Sequence, residues 1–204
     1  MKKHLLILIL APAMLFSSCS KDNSELSGAP VSTEDEAEAV LVAINNLWTT
    51  VLKPQLTKKA QTYSDTVLSD GAGGKATVNG HYDYSTFSSS SSNSVNSEID
   101  VQITFQQYVA NGLHLNGTLR FYDSYYSRTA CSSSGCASST HTDVVYSSSD
   151  GNSNDKDFPP ITIAFKNAAG KSYKDNILLY VGKEYAHWEG KLINARNQTI
   201  SISY

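Results

Sequence analysis

Three histidines in the sequence are each followed, two positions later, by a carboxylate. The pairs are His81 with Asp83, His141 with Asp143, and His187 with Glu189. Residues two apart on a β-strand share a face, so each pair would place an imidazole beside a carboxylate. That combination suits a zinc site or a general acid–base pair, whereas on the polar face of a strand it is ordinary solvated surface. The pairs become a candidate site only if the fold brings two or more of them together.

A second candidate is the run Asp150–Asp155, in which oxygen-bearing side chains alternate around Gly151. An EF-hand loop needs a closing glutamate and a glycine at a different position, and the run has neither. The Gly-x-Ser-x-Gly turn of hydrolases and the glycine-rich phosphate loop are also missing from the sequence. We therefore expect a solvated loop, no metal, no cofactor and no catalytic residue from these motifs. A hydrolase built on the His–carboxylate pairs stays open as an alternative.

The N-terminus has the pattern of an export signal. Two lysines precede an apolar run, Leu5–Phe16, which is too short to cross a bilayer as a permanent helix. Residues 15–19, LFSSC, resemble the lipobox of bacterial lipoproteins, and residues 18–23, SCSKDN, resemble the lipoprotein starts of Bacteroidota. The resemblance covers only this beginning of the chain. A plain secretory signal with an incidental cysteine is the alternative, and in both cases the protein leaves the cytoplasm.

The lipoprotein resemblance implies an address and a membrane partner. It implies that residues 1–18 are removed and that Cys19 becomes the acylated N-terminus. Ser20, where sorting to the inner membrane would need an aspartate, implies the outer membrane, with the protein held there by its N-terminal lipid. Lys21 and Asp22 resemble the charged export tag of surface lipoproteins, and the choice between a periplasmic and a surface-facing protein stays open.

The composition after residue 18 indicates one domain of 186 residues, enough to bury a sizeable core. Removal of Lys2 and Lys3 leaves 14 basic against 19 acidic residues, and no stretch clusters basic with aromatic residues. Nucleic acid is therefore a poor partner. We divide the chain into a signal peptide, 1–18, a lipid anchor with a flexible tether, 19–31, and a single helix-plus-sheet domain, 32–204.

Two further cysteines and several aromatic residues are the remaining site candidates. Cys131 and Cys136 lack Cys-x-x-Cys spacing and supply at most two metal ligands, so outside the cytoplasm they predict a disulfide. Among the aromatic residues we single out Tyr125, Tyr126 and Trp188 as candidate binding residues, because such side chains stack on sugars or fill protein interfaces. Core packing is the alternative for them. Glycan, lipid and protein all stay open as ligands.

A helix is predicted directly after the tether. Thr33 and Glu36 have the capping-box pattern, and acidic residues crowd the first turn. Apolar residues then recur at three- and four-residue spacing: Ala37, Val40, Leu41, Ile44, Leu47, Trp48, Val51 and Leu52. We expect this stripe to pack on a sheet and Pro54 to end or kink the helix near Leu52 or Lys53.

The stretch Glu98–Tyr122 predicts a β-hairpin, because apolar and polar residues alternate in two runs around a break. A two-residue Asn111-Gly112 turn would place Phe105 opposite Thr118 and mix the faces, so we reject it. A three-residue loop, 110–112, with a left-handed Gly112 keeps the faces apart. It predicts the pairs Val101 with Phe121, Ile103 with Leu119, and Phe105 with Gly117.

Weaker patterns predict the other strands, at 61–68, 76–84, 143–146, 161–165, 176–181, 185–195 and 200–204. Ser88–Ser92 is expected at an exposed hairpin tip, and turns are expected at 168–170 and at Gly182-Lys183. The segment Ser127–Pro160 is predicted to be the longest irregular stretch.

Together these elements predict a mainly β fold: an antiparallel meander of about eight strands with one N-terminal amphipathic helix packed on it. The meander closes either as a sandwich or as a curved half-barrel plugged by the helix. The second layout resembles the carrier proteins that move lipoproteins across the periplasm, which implies a lipid or hydrophobic ligand. We expect a non-catalytic binding module, with such a carrier as one alternative and the hydrolase as the other. A deep apolar cavity under the helix would favour the carrier.

Overall fold

The computed structural model describes residues 27–148, 159–184 and 187–204. The signal pattern, Cys19, the run Asp150–Asp155 and Tyr185 lie outside the described residues. Within the described ranges, no helix combines the length and the apolar character that crossing a bilayer requires.

A single helix, α1, opens the domain. It is α-helical over Glu34–Leu47, forms a π-helical turn over Trp48–Leu52, and is α-helical again over Lys53–Leu56. The predicted cap at Thr33 is confirmed, because its hydroxyl accepts a hydrogen bond from the Glu36 N–H at 3.3 Å. The Glu36 carboxylate accepts in return from the N–H of Ser32 at 2.8 Å, one residue before the usual partner.

Pro54 is predicted to end or kink the helix near Leu52 or Lys53. The helix does not end there, because α1 continues to Leu56, but its regular α-helical geometry is interrupted at Trp48–Leu52. Proline has no N–H, and in a regular α-helix its ring collides with the carbonyl four residues earlier. The π-helical turn relieves both problems by directing the Lys53 N–H to the Trp48 carbonyl, five residues back. The helix therefore widens by one π-helical turn before Pro54 and then continues through the proline to Leu56.

Nine antiparallel strands form one sheet: β1 Gln61–Ser69, β2 Lys75–Ser88, β3 Ser92–Ala110, β4 Leu113–Ser132, β5 Gly135–Ser147, β6 Ile161–Lys166, β7 Ser172–Glu184, β8 His187–Ile193 and β9 Thr199–Ser203. The main order is β1-β2-β3-β4-β5-β7-β8-β9. Both β5 and β6 pair with β4 and with β7, so these four strands form a small closed ring of pairings. The predicted mainly β fold with one packed helix is confirmed, and a single sheet replaces the sandwich alternative.

The space between α1 and the sheet is filled by aromatic side chains. The Trp48 ring stacks on Phe121 with centroids 4.8 Å apart, and Tyr146 packs edge-on against Phe121. The predicted apolar stripe of α1 is buried, apart from a half-buried Val51. These contacts fill the place where a carrier would need a deep apolar cavity.

The pairing of β3 with β4 is predicted correctly, but the predicted turn is wrong. Val101 faces Phe121 and Phe105 faces Gly117, as expected. The connection is nevertheless the two-residue turn Asn111-Gly112, with positive φ at both residues. A β-bulge at Gln107, whose φ is 49°, shifts the register by one residue and restores the separation of the faces.

The part of the segment Ser127–Pro160 that the structure describes up to Ser148 is not the irregular stretch that its composition predicts. Strand β4 continues to Ser132, and β5 begins at Gly135, well before the predicted short strand at 143–146. The predicted disulfide is confirmed between Cys131 and Cys136, which face each other beside the turn. Serine and threonine conceal these strands in the sequence, because neither residue produces an apolar alternation.

Four strands extend beyond the part of the sheet that α1 covers. β1 accompanies β2 only as far as Tyr82, and β7 accompanies β5 only from Asp143 onward. We call the four-stranded extension formed by residues 84–97 and 125–142 the blade. The predicted tip at Ser88–Ser92 lies at its end, between β2 and β3.

The last described residues of the predicted tether are attached to the domain. Ala29 pairs with Tyr173 in a parallel bridge, and the Asp175 carboxylate accepts a hydrogen bond from the Val31 N–H at 2.9 Å. The Asn194 amide donates to the Val31 carbonyl at 2.8 Å, and the Val31 side chain is fully buried. The chain is therefore held on β7 before the helix begins.

Candidate ligand-binding site

The three His–carboxylate pairs lie on the face of the sheet that points away from α1, the outer face. His141 contacts Asp143 at 2.8 Å, whereas His81 lies 3.7 Å from both Asp83 and Glu98. No three His, Cys, Asp or Glu side chains of the described ranges are grouped as a metal site would require. The pair at His81 is on β2, several strands away from the other two.

Members of two pairs do meet in an open groove of about 830 Å³ on the outer face. Its floor is a row of four residues, one from each of β4, β5, β7 and β8: Tyr122, Val145, Gly182 and Glu189. Neighbouring strands are about 4.8 Å apart, so the row extends about 14 Å from Tyr122 to Glu189. The groove is therefore long enough for more than one ring-sized ligand unit.

The sides of the groove come from residues two positions along the same strands, which share the outer face. Tyr180 lies on one side of the row, and Asp143 and His187 lie on the other. The two tyrosines provide flat apolar rings with polar tips, and the carboxylates and the imidazole provide hydrogen-bonding groups. This combination of flat surfaces and acceptors can bind a ligand that is itself both apolar-faced and hydroxylated.

Gly182 makes the groove open at its centre. A Cβ atom placed on this glycine would meet only Val145 at 3.7 Å and the Val144 carbonyl at 3.8 Å, which are ordinary contact distances. No close backbone approach requires the glycine, and its φ is not in the left-handed range. A glycine inside a strand weakens the strand and often marks a place where a ligand approaches the backbone.

The prediction of a turn at Gly182-Lys183 is wrong. Both residues belong to β7 and pair with Val145 and Val144 of β5. The sequence contains two signals for the groove that the turn assignment hides. Tyr180 is an aromatic residue on the polar face of a strand, between the inward-facing Leu179 and Val181, and Gly182 follows it on the same face.

The three aromatic residues singled out from the sequence have different positions. Trp188 is only 6 % exposed and packs against Tyr146 in the core, as the core-packing alternative for it expects. Tyr125 and Tyr126 are 38 % and 39 % exposed in the blade. Because they are consecutive residues of β4, they point to opposite faces and do not form one contact surface.

A buried polar cluster lies on the inner face, behind the groove. Asp123 accepts hydrogen bonds from the Trp48 indole at 3.1 Å and from the Lys53 ammonium at 2.6 Å. The Tyr146 hydroxyl donates to the Asn45 side chain at 2.9 Å. Burial, together with the charge of Asp123, raises the pKa of Tyr146, which keeps this phenol protonated. These groups satisfy one another and fix α1 on the sheet, so we assign them a structural role.

A second groove, of about 780 Å³, runs between the exposed side of α1 and the turn after β6. Ala39, Val42 and Phe165 contribute to its lining, with Asp35 and Glu38 at the helix side. None of the residues that the sequence marks as chemical candidates lies in it. The outer-face groove is therefore the better candidate site.

The chain matches no protein-family model, no curated protein and no solved structure.

Proposed function

We propose that this protein is a lipid-anchored, non-catalytic binding module of the bacterial outer membrane, and that it holds a neutral saccharide in the outer-face groove. The address rests on the resemblance of residues 15–23 to lipoprotein starts. The ligand rests on one observation, the groove that has Tyr122, Gly182 and Glu189 in its floor and Tyr180, Asp143 and His187 at its sides.

A saccharide fits this chemistry better than the other ligand classes. A pyranose ring has an apolar face of C–H groups that stacks on tyrosine, and its hydroxyls donate to carboxylates and imidazole. Two carboxylates, at Asp143 and Glu189, outnumber the one ammonium group in the lining, that of Lys183, which lies over the Trp188 ring, so the groove disfavours phosphates and acidic sugars. A lipid needs a long apolar cavity, and the interior under α1 is occupied by Trp48, Phe121 and Tyr146.

A hydrolase is the second candidate, because the groove unites Asp143 with His187 and Glu189 from two of the three His–carboxylate pairs. General acid–base catalysis of glycoside cleavage uses two carboxyl groups on opposite sides of the bond. The groove is nevertheless open to solvent along its length, whereas enzymes usually exclude water around the reacting atoms. Binding without cleavage is therefore the function that we favour.

The test is a calorimetric titration with neutral cello-, malto- and xylo-oligosaccharides. Cys19→Ala, which removes the acylation site, provides a soluble form of the full mature chain. In that background Gly182→Val fills the centre of the groove, where the backbone has room for a side chain and a β-branched residue suits a strand. We expect at least one oligosaccharide to bind the parent, and Gly182→Val to abolish binding while leaving the unfolding midpoint unchanged or higher.

The matched control is Gln102→Val, another exchange to valine on the outer face, on β3 and outside the groove. It should bind like the parent. Binding that survives Gly182→Val would place the site elsewhere, and no binding of any tested sugar would reject the saccharide proposal. Release of shorter sugars during the titration would support the hydrolase instead. If Cys19→Ala stays in the membrane fraction, the anchor is wrong, whatever the groove binds.

A further inference from the structure

No strand of the described ranges lies beside the outer edge of β2 in the blade. β1 pairs with β2 only up to Tyr82, and β2 then continues to Ser88 with β3 on its other side. Over Asp83–Ser88 the backbone N–H and C=O groups on the outer edge therefore have no partner among the described strands. Such an edge is a template on which another strand can pair.

This edge lacks the features that protect other strand edges. Residues 84–88, YSTFS, contain no charge and no proline, and their register with β3 is continuous. Tyr84 and Phe87, on opposite faces, are 53 % and 58 % exposed, among the most exposed large apolar side chains of the described ranges. Tyrosine, threonine and phenylalanine all favour strands.

The other edges of the sheet are better protected. β1 is interrupted by a bulge between Tyr63 and Thr66, where Asp65 has a φ of 48°. β9 has only five residues and lies against α1. The blade segment of β5, residues 135–142, has no large apolar side chain, so a strand added there would bury little apolar surface. Bulges, shortness and the absence of apolar side chains all reduce edge-to-edge pairing.

We propose that this edge of β2 pairs with the same edge of a second copy of the chain. The pairing is antiparallel about a two-fold axis that passes between Thr86 and its symmetry mate. Tyr84–Ser88 of each copy then pair, with Tyr84 opposite Ser88 and Ser85 opposite Phe87. The two blades form one continuous sheet of eight strands.

Self-complementarity favours a second copy in this register. Asp83, the only charged residue on the edge, falls outside the paired segment, so no like charges face each other. The two Phe87 side chains become diagonal neighbours on the outer face, at about 7–8 Å between their Cα atoms, within reach of aromatic rings. The facing Thr86 hydroxyls can repeat the contact that Thr104 and Thr118 make at 3.0 Å between β3 and β4. The alternative register about Ser85 would instead place Asp83 opposite Phe87.

The proposed interface is small, so we expect the affinity between the two copies to be low. Five paired residues cover about 17 Å of edge. The surface area that such a short contact buries is well below that of a permanent dimer interface. The association is therefore reversible, and confinement of both copies to one membrane surface raises their effective concentration. The blade edge and the groove are separate, because the groove lies on β4, β5, β7 and β8.

The covalent test is Thr86→Cys in the full chain, oxidised in membranes. Directly opposite residues of an antiparallel pair lie about 4.5–5.5 Å apart at Cα, within the range of a disulfide. We expect a disulfide-linked dimer on non-reducing gels. The matched control is Ser201→Cys, an exposed residue on the β9 edge that carries the same native cysteines. Dimer formation no greater than in this control would overturn the proposal.

The reversible test uses opposite charges at the axis. Thr86→Lys places two ammonium groups face to face, so we expect the concentration-dependent dimer of the parent in sedimentation equilibrium to be lost. Mixing Thr86→Lys with Thr86→Glu should restore a dimer between the two variants. An unchanged far-UV spectrum and unfolding midpoint establish that each variant folds. A parent that is monomeric at every concentration, or a Thr86→Lys variant that dimerises like the parent, would also overturn the proposal.

Discussion

The strands β2–β5 pass through two environments, and the contrast between them shows what makes a strand visible in a sequence. In the part that α1 covers, β3 alternates buried Ile99, Val101 and Ile103 with more exposed polar residues. In the blade, most side chains of the same strands are serine, threonine or asparagine, and both faces are solvated. The backbone ladder continues without change. Alternation of apolar and polar residues in a sequence therefore indicates a strand with one buried face. A strand with two solvated faces lacks this alternation, so its sequence resembles that of a loop.

The largest expected effect tests the covered part. Trp48→Ala removes a fully buried indole that stacks on Phe121 and donates to Asp123. We expect the free energy of unfolding to fall by about 3–5 kcal/mol, as for other buried aromatic residues replaced by alanine. A urea titration of the parent and the variant measures the difference. A loss below about 1 kcal/mol would mean that the helix does not stabilise the sheet in the way that these contacts indicate.

An intermediate effect is expected at the edge of the covered part, where Glu36 pairs with Lys171. The Lys171 hydrogen bond, which outweighs the effect of burial, lowers the pKa of Glu36 from 4.5 to about 2. The stabilisation is therefore complete above pH 4.5 and is lost as the pH falls from 4.5 to 2. Because the Lys171 side chain is half-exposed, solvent screening weakens this contribution, and we expect it to be smaller than the effect of Trp48→Ala.

Glu36→Gln isolates this contribution. Its free energy of unfolding should lie below that of the parent at neutral pH, and the difference should disappear as the pH approaches 2. Glu34→Gln is the control, because Glu34 is an exposed carboxylate in the same helical turn. An equal pH dependence for the two variants would show that the ion pair with Lys171 contributes nothing specific.

The smallest effect is expected in the blade. Tyr125→Ala with Tyr126→Ala removes two partly exposed rings from opposite faces, and exposed substitutions usually change stability by less than about 0.5 kcal/mol each. The double variant should therefore unfold within about 1 kcal/mol of the parent in the urea titration used for Trp48→Ala. Its saccharide binding should be unchanged, since the groove contains neither ring. A loss comparable to that of Trp48→Ala would show that the blade is part of the core.

The sequence predicts the covered part well because burial leaves a periodic pattern. The stripe from Ala37 to Leu52 and the alternation around Val101 each depend on one apolar face, and both elements form as expected. The predicted β3–β4 pairs are correct for the wrong reason. A bulge at a glutamine, Gln107, has no recognisable residue signal, so a three-residue loop is the simplest explanation of a register that the bulge produces.

The candidate site is harder to predict because its residues come together only through the register of four strands. Asp143, His187 and Glu189 are visible as spaced pairs, but their meeting depends on β5, β7 and β8 lying side by side. Gly182 is taken for a turn residue, because glycine is more frequent in turns than inside strands. Of the singled-out aromatic residues, Trp188 lies four positions before the apolar Leu192 and therefore shares its face of the strand, which indicates the core.

The attachment of Ala29 and Val31 to β7 also determines where a mechanical load would enter the domain. If Cys19 carries the lipid, the nine residues to Gly28 allow a reach of at most about 30 Å from the membrane. A pull on that tether acts first on the bridge to Tyr173 and on the hydrogen bonds to Asp175 and Asn194. Helix α1 lies beyond these contacts and is shielded from the tension. The strand that would take the force, β7, also carries Tyr180 and Gly182, so the proposed ligand and the proposed anchor would act on the same strand.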